Sequence, residues 1–182
     1  MLGMLAADGH QIVDDEDEAE VIIVNTCCFI GDAKEESVNT ILEMAEKKKA
    51  GTCKVLIVTG CMAQRYKKEI SEEIPEVDAI LGTTSYGDII KAVNEAEAGR
   101  HFEEYKSIDF LPDISGKRML TTGGHFAYLK IAEGCDKHCT YCIIPKLRGS
   151  YRSVPMEQLV KEAQSLAEKG VKELILVAQE TT

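Results

Sequence analysis

In the run "KVLIVTGCMAQ", residues 54–64, seven residues of almost unbroken apolar character end at Gly60 and are followed by a cysteine. An apolar run of that length, bounded by a turn residue, reads as a strand covered on both faces, as in a parallel sheet. The flanking segments fit that reading. Upstream, residues 32–49 carry Val38, Ile41, Leu42 and Ala45 at helical spacing, and "VIIVNT" (21–26) and "QIV" (11–13) read as strands. Downstream, a helix is expected around 63–73, a short strand at "AILG" and a helix at 86–98. Strands that alternate with helices predict an α/β fold, a doubly wound sheet with helices on its faces, over residues 1–100.

Residues 101–124 mix Pro112, Gly116, Gly123 and Gly124 with scattered charge and read as a linker holding a short hairpin. From 125 to 182 the rhythm resumes. "HFAYLKIAEG" predicts a strand, a cysteine-rich loop follows, "VPMEQLVKEAQSLAEKG" predicts a helix and "VKELILVAQ" a strand. Ser153 is the expected cap, Pro155 suits the first turn and Gly170 the end. The unit is a right-handed βαβ by the usual rule of connection. One such unit does not close a barrel, and "MLGMLAADG" reads as the last turns of a helix with Gly9 as its stop. The chain is therefore expected to be a piece of a longer protein.

Composition bounds the class. Of 182 residues 45% are hydrophobic and 29% charged, which suits a soluble globular chain rather than a disordered one. The apolar runs are too short to span a bilayer, and the first ten residues lack a basic leader pattern. Seven cysteines without such a leader suit a reducing cytoplasm, with thiols free or bound to metal. The net charge of −10 is uneven: residues 1–124 hold 13 basic and 24 acidic side chains, residues 125–182 hold 8 and 7. An acidic surface favours basic partners over phosphate backbones, although it also serves plain solubility.

The stretch "AEGCDKHCTYCIIPK" (132–146) places Cys135, Cys139 and Cys142 in one Gly-bounded loop. Iron–sulfur clusters normally take four cysteine ligands, so three leave one iron open. A structural zinc site would need a fourth protein ligand; His138 adjoins Cys139, and His125 is the other nearby imidazole. A zinc knuckle or a set of redox thiols is the plainer reading of the same loop. A second pair, Cys27 in "NTCCFIG" and Cys61 in "TGCMAQ", follows two strands. If those strands are parallel neighbours, both thiols leave the same sheet edge, where α/β proteins bind ligands. They are otherwise free buried thiols. Arg148 and Arg152 suit a carboxylate or phosphate, or are surface residues.

The Cys-x3-Cys-x2-Cys loop, with aromatic Tyr141 before the last cysteine, resembles the signature of the radical S-adenosylmethionine (SAM) superfamily. The resemblance implies that residues 125–182 begin a partial TIM barrel. It also implies that Cys135, Cys139 and Cys142 hold a [4Fe–4S] cluster whose open iron is chelated by SAM, which one electron then splits. Tyr141 would lie near the adenine, and Gln179 and Thr181 near the methionine end; otherwise Tyr141 packs the loop and the other two are ordinary strand-end polar residues. "NTC" and "TGC" narrow the resemblance to the methylthiotransferases, whose N-terminal domain binds a second, sulfur-delivering [4Fe–4S] cluster. Cys27 and Cys61 match two of its three ligands; the family's "GC-x-K-N" segment, which carries the third, is expected upstream of Met1. Cys28 and Cys53 match no ligand position and are expected to be structural.

Within that family, "NTCCFIGDAKEESVNTI" and "LVAQETT" resemble the branch that modifies the β-carbon of an aspartate in small-subunit ribosomal protein twelve. The branch that modifies isopentenylated adenosine in tRNA typically reads "NTC-x-V-R" and "GQNV" there. The resemblance implies two clusters, SAM as radical source and methyl donor, and an electron donor of flavodoxin or ferredoxin type. No side chain is assigned an acid or base role. Without most of the barrel, the 182-residue chain alone is expected to be inactive. A non-catalytic zinc-binding module is the alternative of a different class.

Overall fold

The computed structural model describes residues 1–111 and 118–181. Pro112 and Gly116, read as parts of the linker, lie outside the described residues. A short helix α1 (Leu2–Ala7) precedes a four-stranded sheet built from β1 (Val21–Thr26), β2 (Val55–Gly60), β3 (Ala79–Leu81) and β4 (Phe102–Glu104). All neighbours are parallel and follow chain order across the sheet. Helix α2 (Gly31–Ala50) connects β1 to β2; α3 (Cys61–Arg65) and α4 (Lys67–Glu73) connect β2 to β3; a 3₁₀ turn (Tyr86–Asp88) and α5 (Ile89–Glu97) lead to β4.

Strand β2 lies between β1 and β3 and is buried along its whole length, which accounts for its continuous apolar sequence. Its side chains part between two cores. Leu56 and Val58 pack with Ile41, Met44 and Ala45 of α2 and with Met62 and Ile70 of α3 and α4. Val55 and Ile57 pack with Leu5 of α1 and with Ile89, Ala92 and Val93 of α5. Helices thus cover both faces, the layering expected of a doubly wound sheet. Leu56, Ile57 and Val58 are fully buried, each contributing about 1.5–3 kcal/mol of hydrophobic stabilisation.

The second segment comprises β5 (Phe126–Lys130), β6 (Ala132–Glu133), α6 (Ile144–Arg148), β7 (Arg152–Ser153), α7 (Met156–Glu168) and β8 (Glu173–Val177). β5 and β8 are parallel and joined through α7, giving the expected βαβ connection. Ala127, Leu166 and Val171 form its small core.

The structure departs from the sequence reading in several places. Residues 11–13 are not a strand. The expected helix at 63–73 starts at Cys61 and is interrupted at Tyr66, whose φ of −118° and ψ of 34° are not helical. β4 lies in the stretch read as linker, as the fourth strand of the first sheet. The expected strand at 125–134 changes partner at Ile131, whose N–H donates to Val177 O (2.9 Å) and whose carbonyl accepts from Val154 N (2.9 Å). Ser153 does not cap α7, because its backbone pairs with Ala132 in the β6–β7 ladder; Pro155 occupies the capping position.

The two segments meet through α6. Leu147 is buried in the core of the first sheet, and the Thr83 hydroxyl donates to its carbonyl at 2.9 Å. Arg152 Nη2 donates to Ile108 O (2.8 Å) and Arg148 O (2.9 Å), and Asp109 Oδ1 accepts from Ser150 N–H at 3.1 Å.

Candidate metal and cofactor site

Thr26 and Gly60 are partners at the last position of the β1–β2 ladder. The next residues, Cys27 and Cys61, therefore leave the sheet side by side at one edge. Gly60 is needed for this closeness. Its φ is +100°, and a Cβ there would fall 2.4 Å from Thr26 O. The Thr26 hydroxyl donates to Thr59 O at 2.6 Å across the same pair of strands. Ser37 of α2 fixes the backbone of Cys27 from both sides: its Oγ accepts from Cys27 N–H at 3.0 Å and donates to Cys27 O at 2.9 Å. The Cys27 side chain is exposed, whereas Cys61, the first residue of α3, is half-buried against the core. A groove of about 490 Å³ beside β1 is lined by Asn25, Cys27, Glu36 and Ser37 among others.

The neighbouring cysteines behave differently. Cys28 is buried; burial and the nearby Cys61 sulfur push its thiol up, with Arg65 opposing. Cys53 is buried too, its Sγ 3.1 Å from Val55 O, and burial pushes it up. Both fit the structural role expected of them.

In the second segment, the loop that carries three cysteines starts at Gly134. Its φ is +79°, and a Cβ would lie 2.1 Å from Ser150 O. The Cys135 N–H donates to Gly149 O at 3.2 Å, and Gln179, just beyond β8, accepts from Gly134 N–H through Oε1 at 2.9 Å. Cys135 is buried; its Sγ accepts from Lys137 N–H at 3.4 Å and lies 3.9 Å from Glu180 Oε2. Cys139 is exposed and Cys142 half-buried, with Cys142 N–H donating to Cys139 O at 3.0 Å. Tyr141 is 86% exposed, so it does not pack the loop. Thr181 is exposed, and its N–H donates to Glu180 Oε1 at 3.1 Å.

The seven cysteines are free. Among the described residues, no three of His, Cys, Asp or Glu stand close enough together to hold a metal ion. The fold thus brings Cys27 and Cys61 to one edge and puts Cys135, Cys139 and Cys142 on one short loop without gathering the three. As donors these are thiols in two loop regions, the ligand type that iron–sulfur groups take.

Sequence reasoning missed Glu133. Its carboxylate is buried two positions before Cys135, paired with Lys130 and with Arg148 at 3.3 Å. The signal was available, since an acidic residue in the apolar run "KIAEG" needs a cation. The carboxylate that Arg148 holds is this one. Burial would lower the Arg148 pKa, but the Cys61 sulfur and Glu133 beside it outweigh burial and raise it.

Residues 1–82 match the family model described as "Uncharacterized protein family UPF0004", and residues 129–182 match that of the "Radical SAM superfamily". Over all 182 residues the chain is 63% identical to a protein of Lachnoclostridium phytofermentans named ribosomal protein uS12 methylthiotransferase RimO. It is 52% identical to the protein of that name from Clostridioides difficile and 50% to that of a Thermoanaerobacter species. The matches take in the whole of this chain and 41%, 41% and 42% of those proteins, so the chain spans about two-fifths of their length. A segment similar to UPF0004 is followed by one similar to the radical SAM superfamily, and across both the chain is similar to proteins named ribosomal protein uS12 methylthiotransferase.

Proposed function

We propose that the protein of which this chain forms part is a radical SAM methylthiotransferase acting on the β-carbon of an aspartate in ribosomal protein uS12, the small-subunit protein twelve. One observation carries the reading: the similarity to proteins of that name runs through both cysteine regions without a break. The same names favour this substrate over tRNA.

In this reading Cys135, Cys139 and Cys142 hold a SAM-cleaving [4Fe–4S] cluster. Cys27 and Cys61, with a third cysteine from outside this chain, hold the sulfur-delivering one. Tyr141, Gln179 and Thr181 face SAM. The bound groups supply one-electron chemistry, which a carbon–hydrogen bond at that position needs because an acid or base side chain cannot break it. The chain's own residues do the positioning. Gln179 ties the end of β8 to the start of the cysteine loop through Gly134 N–H. Ser37 orients Cys27 toward solvent at the sheet edge. The exposed Tyr141 ring offers an apolar face beside the loop thiols. Electrons come from a flavodoxin- or ferredoxin-type donor, and the protein works in the cytoplasm; no helix of the described residues is long and apolar enough to cross a membrane.

The test is anaerobic reconstitution of the complete protein with iron and sulfide. Iron at both cysteine sets, 5′-deoxyadenosine release and methylthiolation of uS12 but not tRNA are expected, and Cys135→Ala abolishes the release. Zinc without iron, or wild-type release by the variant, overturns the reading.

A further inference from the structure

Arg152, which by sequence suits a substrate carboxylate or phosphate, is committed instead to main-chain carbonyls. Its Nη2 donates to Ile108 O (2.8 Å) and Arg148 O (2.9 Å); its Nη1 donates to Ser150 O and lies 3.6 Å from Asp109 Oδ1. A guanidinium with four such partners has no Nη edge left for a bound anion. Ile108 and Asp109 belong to a strap, residues 106–109, that follows β4; Arg148 and Ser150 flank the turn at Gly149. Asp109 also reaches that turn by itself, since its Oδ1 accepts from Ser150 N–H at 3.1 Å. Strap and turn close on Gly149. Its φ is +73°, and a Cβ there would fall 2.6 Å from Asp109 Oδ1 and 2.7 Å from Ile108 O.

Each side of this clasp is tied further. The strap hangs on the loop after β3. The buried Thr84 hydroxyl shares its proton between Ser107 O (3.1 Å) and Lys106 O (3.3 Å), and the buried Ser85 Oγ accepts from Lys106 N–H at 2.8 Å. The turn carries the entry of the cysteine loop. Gly134 packs against Ser150 O, Cys135 N–H donates to Gly149 O, and Asp136 Oδ1 accepts from Tyr151 N–H at 2.8 Å. A continuous run of hydrogen bonds thus leads from the first sheet through residues 106–109 and 149–151 to the loop entry.

We propose that Arg152 and Asp109 are positioning residues. They clasp the 106–109 strap to the 149–151 turn and so set where the loop entry, residues 134–136, stands relative to the first sheet. Gln179 holds the same entry from β8, within its own segment, whereas the clasp refers it to the other segment. Its weight in catalysis rests on the reading of that loop as the holder of the SAM-cleaving cluster. The two residues differ in what their loss removes. The Arg152 side chain is 16% exposed, and without it the carbonyls of Ile108, Arg148 and Ser150 lose a donor; that of Asp109 is 61% exposed, and without it only the link goes. A residue that merely stabilised the fold would loosen the whole segment. A clasp loosens what it joins.

The experiment compares wild type, Asp109→Ala, Asp109→Asn and Arg152→Ala in the complete protein. Amide hydrogen exchange is followed first, before any iron is added. In both alanine variants, peptides spanning 106–110, 133–137 and 149–152 are expected to exchange about tenfold faster, with those of β2 and β5 within about twofold of wild type, because the opening is local. Asp109→Asn keeps an oxygen for Ser150 N–H and is expected to stay within about threefold of wild type at 133–137, since the exposed ion pair it gives up is weak. After anaerobic reconstitution, Asp109→Ala is expected to release 5′-deoxyadenosine about tenfold more slowly at saturating SAM, the scale on which a small misplacement slows a reaction, and Asp109→Asn to recover most of the rate. Three results overturn the proposal: unchanged exchange at 133–137 in Asp109→Ala, acceleration spread evenly over β2 and β5, or wild-type release from a loosened loop. Should Arg152→Ala not fold, the two Asp109 variants decide. Wild-type protein that takes up no iron sinks the functional reading by itself, and the exchange pattern still decides the clasp.

Discussion

Gly60 shows how much one residue contributes to the sheet edge. With φ at +100° and Thr26 O in the way, alanine there meets both backbone strain and a clash. Gly60→Ala is expected to lower unfolding free energy by about 1–3 kcal/mol in urea titration. Gly87→Ala, with open space around it and no positive φ, is expected to change it by less than about 0.5 kcal/mol. Equal effects at both positions would refute the argument. Cys53 supplies a pH test. Its folded-state pKa lies above the ordinary value of 9.0 because burial disfavours the thiolate. Between the unfolded and folded pKa values the folded chain binds more protons, so stability is full below about pH 9 and falls as pH rises beyond it. Replacing Cys53 with alanine is expected to flatten that alkaline decline, measured by denaturant titration from pH 7 to 10.5; an unchanged slope would count against it.

Helix α6, which packs Leu147 into the core of the first sheet and carries Arg148, has only five residues. A helix this short is not stable by propensity, so it exists because Leu147 is buried and Thr83 satisfies its carbonyl. Thr83→Val leaves that buried carbonyl without its partner and is expected to cost about 1–3 kcal/mol. It is also expected to speed exchange of the α6 amides; a silent substitution would show that α6 does not depend on this bond. The same fact explains what was legible. The continuous apolar run of β2 and the helical spacing of α2 were visible because each is long and its periodicity is set locally. The run "IIPKLR" gave no helical period, being too short, and β4 is only three residues whose pairing with β3 is a long-range matter. The break at Ile131 was equally hidden, since it depends on Val154 and Val177 coming from opposite sides. The cysteine spacing could be read directly, but not the Glu133–Arg148 contact, which needs two segments to be packed together.

At the scale of the whole molecule, charge separates the two segments more sharply than fold does. Residues 1–124 carry 24 acidic against 13 basic side chains, while residues 125–182 are nearly balanced. Part of that excess is used internally: Lys47 pairs with Glu16 and Asp17, and Lys54 with Glu20. Asp14 and Glu18 of the same loop stay exposed, and Glu16 of that loop helps Cys27 to line the groove. Exposed pairs contribute little to stability, so the loop's acidity acts mainly on what approaches it. For a basic substrate protein such a field raises the rate of encounter and is screened by salt. The association rate of the complete protein with a basic ribosomal protein, followed by stopped-flow fluorescence, is therefore expected to fall roughly tenfold or more between 50 and 500 mM salt. Asp14→Asn with Glu18→Gln is expected to lower the rate at low salt and to leave the high-salt rate unchanged. A rate indifferent to salt would mean that the acidity of this segment serves solubility alone.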